Sequence, residues 1–270
     1  MERSMIPNIL SIAGSDPSGG AGIQADIKAI SACGGYAMAA VTALTVQNTV
    51  GVRDVQMIAP DFIAAQILAL RDDIRIDAVK IGMLGTAAII EKVAQALEGL
   101  EVPIVLDPVM VAKGGDRLLQ SDAVAALRAL LPRASVITPN LPEAADLLGE
   151  AEASTLAAME AQARALLALG VGAVVLKGGH LAGPVSPDLL AGIQGFTWLQ
   201  GPRFATDKTH GTGCTLSSAL ATFLGRGLPM PHAVARAKAY VADAISGADM
   251  LDVGRGHGPT HHFHALKDKS

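Results

Sequence analysis

Short runs of Val, Ile, Leu and Ala recur along the whole chain, and longer segments with helical spacing separate them. A strand apolar on both faces needs cover on both faces, and intervening helices supply it. The alternation therefore predicts an α/β fold around a mainly parallel sheet. Hydrophobic residues make up 50% of the chain and charged residues 17%, enough to bury a large core. No repeat, linker or composition shift divides the chain, so residues 1–270 read as one domain.

The first strand is expected at Asn8–Ala13, followed by a glycine-rich turn and a helix over 21–33. Further strands are expected at 36–46, 77–81, 102–106, 135–138 and 173–176. Helical spacing covers 61–71, 87–97, 122–131 with Ser121 as N-cap, and 154–168. The segment 188–204 reads as two antiparallel edge strands around Gly195, and helices at 213–224 and 232–248 close the chain.

Charge and composition exclude several classes. The formal net charge is −4 with no block of Lys and Arg, which argues against a nucleic-acid partner. Glycine and proline interrupt every apolar stretch short of the ~20 residues a membrane span needs. The first residues lack the apolar run of a signal peptide. Cys33 and Cys214 lie far apart, with no sign of a disulfide framework. A cytoplasmic protein is expected.

In open α/β sheets ligands bind beyond the carboxyl ends of the strands, so the chemistry should sit just after each one. The first such turn, from Gly14 through Asp16 to Gly22, is rich in glycine and opens a helix, which exposes backbone N–H groups. It is not a dinucleotide fingerprint, because no acid follows the next strand, where Gln47 and Asn48 stand instead. It is not a P-loop either, because no Gly-Lys-Ser/Thr follows Gly19. The Gln47 amide suits the edge of a nitrogen heterocycle, although by itself a solvated turn is the simpler reading. Asp107 ends an apolar strand, and Asn140 and Glu143 follow the next; two oxygen ligands together suit Mg²⁺ better than either alone. Lys177 ends a buried strand, either as a cation placed to meet nucleotide phosphate or simply as an exposed turn cation.

The run from Thr209 through His210, Gly211, Thr212 and Gly213 to Cys214 opens a helix. Its first N–H groups and the helix dipole favour negative charge, as develops on a transferring phosphoryl group. A thiol at a helix start tends toward a lowered pKa, which makes Cys214 a candidate base. The generic expectation for a lone cysteine is a buried, inert one.

Taken in order, the stretches 13–26, 42–44, 47–49, 80–84, 107–110, 138–144, 176–180, 209–214 and 258–264 resemble bacterial hydroxymethylpyrimidine/phosphomethylpyrimidine kinases of the ribokinase-like superfamily. The resemblance implies a three-layer α/β/α sandwich with a small flap, for which 111–118 is the candidate lid. It implies ATP as donor, Mg²⁺ as counter-ion and a homodimer. The implied substrate is 4-amino-5-hydroxymethyl-2-methylpyrimidine, then its monophosphate; pyridoxal is the rival substrate for the same chemistry. By the same resemblance Gln47 meets the pyrimidine edge, and Gly14, Ala21, Met83 and Val109 line its pocket. Gly211, Thr212 and Gly213 form the anion hole beside Cys214. Lys177, Thr209 and Asn140 face the nucleotide, Asp107 and Glu143 serve Mg²⁺, and Lys238 meets the substrate monophosphate.

Overall fold

The computed structural model describes residues 5–110, 119 and 123–266. The lid segment 111–118 and the capping residue Ser121 lie outside the described residues.

Six strands run parallel: β1 (Asn8–Ala13), β2 (Tyr36–Val41), β5 (Ala78–Ile81), β6 (Ile104–Leu106), β7 (Val136–Ile137) and β8 (Ala173–Lys177). Two more, β9 (Asp188–Gly192) and β10 (Gly195–Leu199), add antiparallel at one edge. The turn between them needs the positive φ of 96° at Gly195, which glycine adopts without strain. The sheet order is β10-β9-β8-β7-β6-β5-β1-β2. The chain leaves β1 for one neighbour, β2, and returns to the other, β5. That reversal opens a crevice above β1 and β5.

The strands segregate their residues with period two. Leu10, Ile12, Val79, Ile81, Leu106 and Leu176 face one apolar layer, and Ile9, Ala78, Val105 and Val175 face the other. The first layer is closed by α2 (Pro60–Asp73), α3 (Ala87–Ala96), α4 (Ala123–Leu130), α5 (Leu141–Leu148) and α6 (Leu156–Leu167). The second is closed by α1 (Gly22–Ala32), α7 (Thr212–Gly225) and α8 (Met230–Ser246). This is the three-layer α/β/α sandwich expected.

Two elements differ from expectation. The run 36–46 is not one strand. It breaks at the buried Thr42, whose hydroxyl donates to the Met83 carbonyl at 2.7 Å. Beyond the break, β3 (Ala43–Asn48) pairs with β4 (Gly51–Met57) in a separate antiparallel hairpin, which had not been expected from the sequence. Gln47 therefore stands on this hairpin and not at the end of a main-sheet strand. The second is α5, also unexpected. Pro142 lies in its first turn, where the missing N–H costs nothing.

Candidate active site

A cavity of about 890 Å³ lies over the carboxyl ends of β1, β5, β6 and β8. Every candidate site residue named from the sequence lines it.

The glycine turn after β1 folds around the Asp16 carboxylate, which is 1% exposed. Its Oδ1 accepts from the Ser18 N–H at 2.9 Å and the Ser18 hydroxyl at 2.7 Å. Its Oδ2 accepts from the Ala21 N–H at 2.8 Å and lies 2.7 Å from His210 Nε2. Burial alone would raise its pKa, but these hydrogen bonds, led by His210 and Ser18, hold it below the usual carboxylate value. A Cβ on Gly14 would stand 2.7 Å from Met83 Cε, so glycine there leaves room for the thioether.

The second turn opens α7. Gly211 is its N-cap with φ 79°, and a Cβ there would collide with the Gly20 carbonyl. Only glycine fits both demands. The N–H groups that follow begin the helix and carry its positive end. Gly213 lies between Asp107 and Lys177: a Cβ there would stand 3.3 Å from Asp107 Oδ2 and 3.3 Å from Lys177 Nζ.

Cys214 departs from the electrostatic expectation. Burial pushes its thiol up to about 11, while the Lys80 ammonium and the Gly22 N–H pull the other way. Loss of hydration outweighs the helix end here.

Across the cavity, Lys177 Nζ lies 3.2 Å from Asp107 Oδ1 and 3.8 Å from Glu143 Oε2. Thr138 also donates to Asp107 Oδ1 at 2.9 Å. Burial works against the charged Lys177, but Asp107 and Glu143 hold its pKa above the ordinary value. Burial, aided by Asp107, pushes Glu143 upward despite Lys177. Asn140 and Glu143 also form the capping box of α5. Asn140 Oδ1 accepts from the Glu143 N–H, and Glu143 Oε2 accepts from the Asn140 N–H, each at 2.8 Å.

Among the described residues no group of three or more His, Cys, Asp or Glu gathers in a metal cage. The donor set of Asp107 and Glu143 fits Mg²⁺ nonetheless. That ion commonly takes one or two carboxylates and completes its shell with water and phosphate oxygens. Lys238 is held by Asp188 Oδ2 at 2.5 Å and the Ser186 carbonyl at 2.9 Å, beside the paired ends of β8 and β9.

One constellation had no sequence signal beyond the motifs that contain it. Lys80 Nζ lies 2.8 and 2.9 Å from the two oxygens of Asp26, with both side chains fully buried. Asp26 also accepts from Ser11 Oγ at 2.6 Å and Ser218 Oγ at 2.8 Å. This cluster bolts β1, α1, β5 and α7 together under the cavity floor.

Two glycine turns, a helix N-terminus and a Lys–carboxylate group around one cavity define the class of small-molecule kinases built on the ribokinase-like sandwich. A family model described as phosphomethylpyrimidine kinase matches residues 16–261, and the chain belongs to that family. It is 53% identical over 260 residues to a hydroxymethylpyrimidine/phosphomethylpyrimidine kinase of Escherichia coli strain K12, covering 96% of this chain and 98% of that protein. It is 46% identical over 263 residues to a thiamine biosynthesis bifunctional protein of Geobacter sulfurreducens, covering 97% of this chain and 53% of that one. Among solved structures, an ADP complex of Bacillus subtilis pyridoxal kinase superposes with a TM-score of 0.89 at 38% identity, covering 97% of this chain and 99% of that one.

Proposed function

We propose that this chain, acting as one kinase domain, phosphorylates 4-amino-5-hydroxymethyl-2-methylpyrimidine with ATP and then converts the monophosphate to the diphosphate for thiamine biosynthesis. The observation that carries this reading is the meeting of Gln47, the 211–214 turn and Lys177 around one cavity.

The Gln47 amide reads the nitrogen edge of the ring, and Gly14, Ala21, Met83 and Val109 enclose it. The hydroxymethyl oxygen lies at Cys214, whose thiolate takes its proton as the bond to the γ-phosphorus of ATP forms and the bond from that phosphorus to the departing ADP breaks. The backbone of Gly211, Thr212 and Gly213 stabilises charge on the moving phosphoryl group. Lys177 faces the nucleotide phosphates with Thr209 and Asn140 beside it. Asp107 and Glu143 would hold Mg²⁺, which when bound neutralises phosphate charge. Lys238 sits where a second anionic group, the monophosphate, is within its reach after release from Asp188. Positioning and preorganised charge supply most of the rate in such transfers. The protein is read as a cytoplasmic homodimer; no described helix is long and apolar enough to cross a membrane, and two-fold pairs are the commonest oligomers.

Incubation with ATP, Mg²⁺ and the hydroxymethylpyrimidine, followed by mass analysis, tests the reading. Mono- and then diphosphorylated product is expected. The structural likeness to a pyridoxal kinase supports one second reading, pyridoxal as substrate. Product only in a parallel tube with pyridoxal would move the enzyme to that reaction.

A further inference from the structure

The segment 178–187 joins β8 to β9 and borders the cavity beside Lys177 through Gly179, His180 and Ser186. It holds three glycines and two prolines, a composition that forms no strand or helix. Its neck is closed by Asp188, whose Oδ1 accepts from the Gly178 N–H at 3.0 Å. The Pro187 carbonyl packs so closely on Gly178 that no Cβ would fit.

The carbonyls of alternate residues in this segment turn toward one point. There stands the Arg203 guanidinium. Nε donates to the Gly183 carbonyl at 2.8 Å and Nη1 to that of Gly179 at 2.8 Å. Nη2 donates to Leu181 at 2.6 Å and to Val185 at 3.2 Å. Four carbonyl dipoles converging on one spot repel one another unless a cation sits among them. A planar guanidinium can satisfy them together; a lysine ammonium, with three donors on one atom, cannot span them. Arg203 is exposed and also borders the cavity, next to Phe204. No residue of the segment belongs to the buried core of either apolar layer; the half-buried Leu181 packs against the first from outside.

We propose that Arg203 is a positioning residue for the nucleotide. It holds 178–187 in the shape that takes the non-reacting part of ATP beside Lys177, and it keeps the four carbonyls turned from the polyphosphate. The proposal rests on the kinase reading of the cavity.

Steady-state kinetics of Arg203→Ala should show an ATP KM raised about tenfold, with kcat and the pyrimidine KM within about twofold of wild type, as loss of charge-assisted bonds made through binding alone requires. Added guanidinium ion, far below denaturing concentration, should restore the ATP KM of the variant and leave wild type unchanged. Arg203→Lys should behave like Arg203→Ala. An unchanged ATP KM in Arg203→Ala, a rise that guanidinium does not relieve, or a wild-type Arg203→Lys would each overturn the proposal. Calorimetric titration of the same variants with ADP measures the same loss of nucleotide affinity independently of turnover. Absence of turnover in wild type itself would sink the kinase reading, while ADP binding would still decide the role of Arg203.

Discussion

His210 Nε2 lies 2.7 Å from Asp16 Oδ2, although 194 residues separate the two in sequence. The pair joins the turn after β1 to the turn that opens α7, and the Gly20 carbonyl packs against Gly211 at the same junction. In the proposed reaction one turn holds the pyrimidine and the other the phosphoryl group. The distance between reactants is then set by this contact.

Replacing the carboxylate should therefore disturb both turns at once. Asp16→Ala leaves the half-buried Ala21 and Ser18 N–H groups without their acceptor, a loss of up to about 1–3 kcal/mol in stability for each group that water does not reach. Turnover should fall and the pyrimidine KM should rise together. Denaturant titration and steady-state kinetics measure the two effects. A change confined to the ATP KM would contradict the coupling of the turns.

The Lys80–Asp26 pair makes a sharper stability prediction. Both side chains are fully buried, and Ser11 and Ser218 are oriented toward the carboxylate. Lys80→Met should destabilise the protein by about 3–5 kcal/mol, because it strands a buried charge. Lys80→Met combined with Asp26→Leu should recover most of that loss, since it removes the orphan. Chemical denaturation of the two variants checks this; an equally unstable double variant would mean that packing, not charge, governs the site.

The sandwich was legible because both faces of its strands are buried, so Ile9 and Leu10 point to opposite layers yet both had to be apolar. The break at Thr42 was not legible. Threonine is a good strand former, so Thr42 gives no stop signal in the run 36–46, and its hydroxyl bonds the carbonyl of Met83, in the distant turn after β5. The α5 helix was hidden because Pro142 reads as a stop, whereas it is a start. Most candidate site residues stand in motifs after a strand or at a helix start, and they share one cavity with Gln47 of the hairpin and Lys238 of α8. What held them was not legible. Asp16–His210, Lys80–Asp26 and the Arg203 contacts pair residues far apart in sequence, and no periodicity records such pairing. Cys214 shows the same limit in electrostatics: the helix end is visible in the sequence, but the burial that reverses its effect is not.

His262 predicts a pH dependence of folding. It is 4% exposed, and burial lowers its pKa from 6.5 to about 4, with Lys28 and His261 acting in the same direction. Thr215 Oγ1 donates to the Gly211 carbonyl at 2.8 Å, which leaves its lone pair to accept from neutral His262 Nε2–H at 3.0 Å. Between pH 6.5 and 4 the unfolded chain binds a proton that the folded chain does not. Stability from this group is therefore complete above about 6.5 and is lost as pH falls toward 4, on the order of 3 kcal/mol in all. His262→Gln keeps a donor to Thr215 and should flatten the stability profile in that window. An unchanged slope in the variant would assign the dependence elsewhere.

Cys214 offers the test of the proton step. At about 11 its thiol is a poor standing base near neutrality but a strong one once ionised, and the Lys80 ammonium favours that ionised form. If the thiolate takes the hydroxymethyl proton, log kcat should climb with pH at about one unit per pH unit through the range in which the protein is stable. Cys214→Ala should lower kcat about 10²–10⁴-fold, leave the ATP KM near wild type and abolish that climb. Single-turnover measurements across pH separate the chemical step from product release. A flat wild-type profile, or turnover in Cys214→Ala close to wild type, would remove the thiol from proton transfer and leave the 211–213 backbone as the turn's contribution.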